Sequence, residues 1–224
     1  MGISIQTQAI LLLTAYFSKA QKGDAKPLGP MEWGRFAAWL KARSMSPEDL
    51  LRDGLGRALE GWEDKTITAT RVTALLERGT ALALAMEKWE RVGLWVITRA
   101  DAVEYPKILK QRLGTAAPPA LFGCGEKRLL SSGGIGVVGS RNASPPDLAY
   151  AEELGARAAN AGYSIVSGGA KGIDQAAMSG ALAAGGTVVG VMADSLLRTC
   201  ASAKYRKALM SGDLALISPY YPEA

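Results

Sequence analysis

Residues 135–174 read IGVVGSRNASPPDLAYAEELGARAANAGYSIVSGGAKGID, and this stretch decides the fold. Ile135, Val137 and Val138, with glycines at Gly136 and Gly139, form the short apolar run of a buried parallel strand. Ser140, Arg141 and Asn142 follow at once. Pro145 and Pro146 stand where a helix begins, because proline is tolerated at the first helical position. Leu148, Leu154 and Ala158 then recur at helical spacing until Gly162. A second strand, Tyr163 to Val166, runs into Ser167-Gly168-Gly169-Ala170-Lys171-Gly172-Ile173-Asp174, and helical periodicity resumes from Asp174 to Leu182.

Strand, loop, helix, strand, loop, helix puts two loops where a strand hands over to a helix. Unpaired backbone N–H groups and the positive end of the helix dipole favour an anion there. Glycine lets the backbone approach a ligand closely, and Arg141 and Lys171 add full charges. On adjacent parallel strands both loops open onto one edge of the sheet, the usual ligand site of an open α/β fold. The competing reading is that Gly168, Gly169 and Gly172 only make a tight turn and that both cations are solvated.

Val138-Gly139-Ser140-Arg141, then Ser167 to Asp174, then Gly180-Ala181-Leu182 resemble the successive motifs of the DprA/Smf DNA-processing proteins. Tyr105-Pro106-Lys107-Ile108-Leu109 and Pro119-Ala120-Leu121-Phe122 resemble that family's entry segment. Ile217-Ser218-Pro219-Tyr220-Tyr221-Pro222 resembles its Ser-Glu-x-Pro-Pro region, so the likeness covers residues 92 to 222 in matching order. The resemblance implies a Rossmann-like fold and non-catalytic binding of single-stranded DNA in DNA uptake and recombination, with the RecA recombinase as a partner. It implies phosphates clamped by Arg141 and Lys171, hydroxyls donated by Ser140 and Ser167, and a cradle of amides near Gly139, Gly168, Gly169 and Gly172. Asp174 is expected to brace the loop through backbone N–H groups, since a carboxylate beside phosphate is repelled.

Three departures stand out. Where the family has Ala-Ala-His, this chain has Ala176-Ala177-Met178. The loop from Met192 to Cys200, including Asp194, lacks the family's Tyr-Pro pair, and the sequence stops at Ala224, where the family's sheet continues. A sheet ending on strand 214–218 exposes an apolar edge, so another copy or a second subunit is expected to cover it.

Outward from this core, 224 residues suffice for one large domain or two modest ones, and 48% apolar content marks a globular chain. No apolar run reaches the length of a membrane span and the start does not resemble a signal peptide, so a cytoplasmic protein is expected. Cys124 and Cys200 lack zinc-ligand spacing and are expected to be reduced thiols. The chain has no histidine, which removes Ser-His triads and an imidazole base. Net charge is +5; residues 1–134 carry 19 basic and 14 acidic side chains, and residues 135–224 carry seven of each. A basic chain suits a polyanion, but here the excess lies outside the loops.

The first 91 residues read as a helical domain, with helices from Ile5 to Phe17, from Met31 to Ala42, after Ser46-Pro47, from Gly54 to Trp62 and from Thr70 to Trp89 with Gly79 as a joint. The aromatics Trp33, Phe36, Trp39, Trp62 and Trp89 fall at helical spacing, which favours core packing over stacking on bases. Residues 92–224 read as the Rossmann-like domain. Short strands at 94–97 and 120–122 precede strands at 135–139, 163–167, 187–191 and 214–218, with helices near 146–161, 172–184 and 202–211. The fold class is therefore α/β, a parallel sheet flanked by helices and preceded by a small helical domain. Neither catalytic residues nor a cofactor is expected; the alternatives are a nucleotide-binding or nucleotide-hydrolysing module and a degenerate interaction subunit.

Overall fold

A computed structural model describes residues 2–19, 21–52, 55–193 and 196–223. Six helices come first: α1 (Ile5–Thr14), α2 (Pro30–Ala42), α3 (Asp49–Arg52), α4 (Leu55–Ala58), α5 (Ala69–Leu76) and α6 (Gly79–Arg91). Strand β1 (Trp95–Thr98), helix α7 (Lys107–Leu113) and strand β2 (Ala120–Gly125) follow. The remainder alternates: β3 (Ile135–Val137), α8 (Pro145–Asn160), β4 (Ile165–Ser167), α9 (Ile173–Ala183), β5 (Val188–Val191), α10 (Leu196–Cys200), α11 (Ala203–Ser211) and β6 (Leu214–Ser218). By its contacts the chain forms two compact units. One runs to Arg91 and takes in Val96–Leu121; the other joins Val92–Trp95 to the residues from Phe122 onward.

The helical unit closes around the aromatics. Phe36 is fully buried, with Trp39 stacked on it at 6.0 Å and Trp62 edge-on at 5.0 Å. Trp33 and Trp89 are likewise buried, so helical spacing here marks core. Arg71 ties the unit together from α5. Its guanidinium donates to both carboxylate oxygens of Glu32 at 2.7 and 2.9 Å and to the carbonyls of Lys26, Pro27 and Thr66, which engages every donor of the fork. An Arg71→Ala substitution is expected to cost about 3 kcal/mol, because it strands a half-buried carboxylate, and lysine cannot rebuild the fork. Urea unfolding of the two variants reads this.

The same pair sets an acid limit. Its hydrogen bond with Arg71 holds the Glu32 carboxyl below its ordinary value of 4.5. The stabilisation is therefore complete above that value and is lost as pH falls through the lowered one. Unfolding midpoints of the wild type measured down the acid limb will fall there, and Arg71→Ala will flatten that dependence.

The sheet has the order β1-β2-β6-β5-β4-β3. Strands β3, β4, β5 and β6 are mutually parallel, with Ile135 opposite Ile165, Ile165 opposite Val188 and Val188 opposite Leu214. Strand β2 runs antiparallel to β6, with Phe122 opposite Ser218 and Gly125 opposite Ala215. The sheet is thus mixed, and two expectations are overturned. Strand β6 is not an open edge awaiting another chain, because β2 of this chain pairs with it. Nor are the cysteines free thiols: Cys124 on β2 and Cys200 at the end of α10 form a disulfide across 76 residues, with Cα atoms 6.5 Å apart. Both corrections have one cause. Strand β2 lies on one side of β6 while α10 packs against β6, and no local pattern announces that return.

Helices α8 and α9 pack on each other and against β4. Gly155 of α8 faces the carbonyl of Ala177, and Gly180 of α9 faces the carbonyl of Glu152, each too close for a Cβ. That contact fixes the spacing of the two loops that open the helices.

Candidate nucleic-acid interface

The first loop leaves β3 at Val138 and enters α8 at Ser144; the second leaves β4 at Gly168 and enters α9 at Gly172. They touch. The carbonyl of Ser140 accepts from the Ile173 N–H at 3.2 Å, and a Cβ on Gly172 would collide with that same carbonyl. Gly172 also sits at φ +95°, so both its conformation and its neighbour demand glycine. Gly139 lies under Ile173, whose Cβ would stand 2.6 Å from a Cβ there.

Asp174 is buried, and its Oδ1 accepts from the Gly139 N–H at 3.1 Å. Its Oδ2 lies beside Gly168. The carboxylate therefore joins the two loops from below. The Gly139 amide is engaged by that bond, and Gly139 serves the loop by its lack of a side chain.

The first loop also fills its own helix terminus. Ser144 caps α8, and the Asp147 carboxylate accepts from the Ser144 N–H at 3.1 Å and from its hydroxyl at 2.6 Å. That hydrogen bonding holds the Asp147 carboxyl below the usual carboxylate range. The Ser140 hydroxyl accepts from the Asn142 N–H at 3.1 Å and shapes the turn. What this loop offers outward is the exposed guanidinium of Arg141. The second loop differs: no side chain caps α9 at Gly172, and Gly168, Gly169 and Ala170 are partly exposed. Ser167 faces inward, donating its hydroxyl to the Val137 carbonyl at 2.7 Å while buried, and so locks β4 to β3.

Arg141, Lys171 and Gly172 line one cavity of about 720 Å³. Residues not assigned to the site from the sequence complete it: Asn142 and Ala143 from the first loop, Leu148 and Glu152 from α8, Gln175, Ala176 and Ser179 from α9, and Lys204 from α11. Leu148 with Glu152 and Gln175 with Ser179 are each four residues apart, so each pair shares a helix face. That spacing is legible in the sequence once the two helices are known to pack together. Lys204 carries no such sign. The cavity wall thus holds three cations and one carboxylate, a lining suited to an anion with polar substituents. Asp194 lies outside the described residues, so its place relative to the cavity is not described.

A family model for DNA recombination-mediator protein A matches residues 95–224, more than half of the chain. The chain belongs to the DNA recombination-mediator protein A family. The crystal structure of DNA processing protein A from Streptococcus pneumoniae superposes with a TM-score of 0.61 at 20% identity, covering 99% of this chain and 69% of that one. A structure of DNA processing protein A from Helicobacter pylori, concerned with its single-stranded DNA binding mode, gives a TM-score of 0.44 at 22% identity, covering 57% of this chain and 56% of that one. No curated protein matches. The likeness to DprA/Smf proteins and the α/β fold are therefore established for this chain, and all the loops described above lie in the stretch matched to DNA recombination-mediator protein A. Among the described residues no helix is long and apolar enough to cross a membrane.

Proposed function

We propose that the protein binds single-stranded DNA without cleaving it, holding backbone phosphates at the two joined loops, as a mediator that hands the strand to a RecA-class recombinase. The observation that carries this reading is the meeting of Arg141 and Lys171 on one cavity at the ends of adjacent parallel strands. Membership of the DNA recombination-mediator protein A family supports it. A non-catalytic role is supported by Asp174, whose carboxylate is turned to the Gly139 amide rather than held ready as a base.

Phosphate contacts make affinity depend on salt, with a log–log slope of about −0.7 per phosphate for single strands. Two clamped phosphates therefore predict a slope of about −1.4 or steeper for a short oligonucleotide titrated across a salt series. Affinity that ignores salt rejects the proposal. A mononucleotide that raises the unfolding midpoint as much as the oligonucleotide does would favour a nucleotide-binding module instead.

A further inference from the structure

Lys204 lines the same cavity as Arg141 and Lys171, yet it comes from an element outside the loop–helix pairs that build the rest of the wall. It is the second residue of α11, where a cation opposes the helix dipole, so helix stability does not account for it. Lys204 is exposed, and partial desolvation pulls its ammonium below its ordinary proton affinity. Helix α11 itself packs on β6 with Tyr205 buried, the Lys204 ammonium lies 5.2 Å from the Tyr205 ring centroid, and the segment just before α11 adds a covalent tie. Cys200 ends α10 four residues upstream, and its disulfide partner Cys124 is buried on β2. A four-residue reach spans at most about 14 Å, so the bond tethers Lys204 to the sheet. Without it α10, only five residues long, keeps the buried Leu196 and the hydrogen bond from the Leu197 N–H to the Pro222 carbonyl at 2.9 Å.

We infer that Lys204 is a third phosphate-binding cation and that the Cys124–Cys200 disulfide is its positioning device, so that binding at this site responds to redox state. This rests on the reading of the cavity as the DNA site. The step is a two-electron exchange: a dithiol reductant gives two electrons and two protons, the S–S bond breaks, two thiols form at Cys124 and Cys200, and the reductant leaves as its own disulfide. In a reducing compartment such a bond is typically transient or redox-sensing.

The test is oligonucleotide binding across a salt series by wild type and Lys204→Ala, each oxidised and each after dithiothreitol, with circular dichroism recorded on every sample. Oxidised Lys204→Ala is expected to bind about fivefold more weakly, with a salt slope shallower by about one phosphate contact. Reduction should produce the same two changes in the wild type and almost none in Lys204→Ala. Cys200→Ser should behave as the reduced wild type without any reductant. Equal effects of reduction on both proteins overturn the positioning role, and so does loss of the helical signal on reduction, because the bond then serves the fold and not the site. An oxidised Lys204→Ala indistinguishable from wild type removes the third cation. Each of these results differs from failure of the DNA reading itself, in which oxidised wild type shows no salt-dependent binding.

Discussion

Gly180→Ala is expected to destabilise the α/β unit more than any exposed substitution in it. A methyl at this position would overlap the Glu152 carbonyl oxygen, and the obstacle is backbone, not the end of a flexible side chain. Relief requires α8 and α9 to move apart, and both helices are also seated on β4. Overpacking in a well-packed interior costs on the order of 3 kcal/mol when the neighbours cannot give. For a unit of this size that lowers the unfolding midpoint by roughly 10–20 °C. Gly136→Ala is the matched control: an added Cβ meets nothing within 4 Å on the exposed strand β3, so its effect should stay within about 0.5 kcal/mol. Thermal unfolding of the two variants decides, and equal midpoints would show that the helices do not meet backbone to backbone.

Arg141→Ala and Lys171→Ala should each weaken oligonucleotide binding by about tenfold, the worth of a charge-assisted contact to phosphate. Both side chains are exposed, so unfolding should be untouched and the loss should appear in affinity alone. Each variant should also flatten the salt slope by roughly one contact, and the loss should be the same for every base sequence, because phosphates carry no sequence information. Anisotropy titrations with two oligonucleotides of different sequence measure all of this. Unchanged affinity in both single variants would place the DNA elsewhere on the molecule.

Much of this site was legible in the chain because its signals are local. The glycines at 139 and 172, the cations at 141 and 171 and the alternation of apolar runs place strand, loop and helix within a few residues of β3, α8, β4 and α9 as observed. The same local reasoning assigned Ser167 to the ligand, whereas the hydroxyl turns to the Val137 carbonyl. A serine at a strand end reads alike whether it faces a ligand or a neighbouring strand, and only the pairing of β3 with β4 tells them apart. Lys204, the pairing of β2 with β6 and the Cys124–Cys200 bond were hidden for a different reason. Each depends on contacts between segments far apart in the sequence, on which periodicity is silent.

The place of β6 between β5 and β2 bears on how the chain is made. Strands β3, β4 and β5 emerge from the ribosome in the order in which they pair, so that part of the sheet grows as it is synthesised. Strand β2 is made before all three, yet its partner β6 is made after all three. Phe122 and Cys124, both buried in the finished sheet, must therefore wait through the synthesis of some ninety residues before β6 covers the side of β2 away from β1. Such delayed long-range pairing slows folding and leaves apolar strand surface open meanwhile. The nascent protein is accordingly most prone to aggregation, and most in need of a chaperone, in the interval before β6 leaves the exit tunnel.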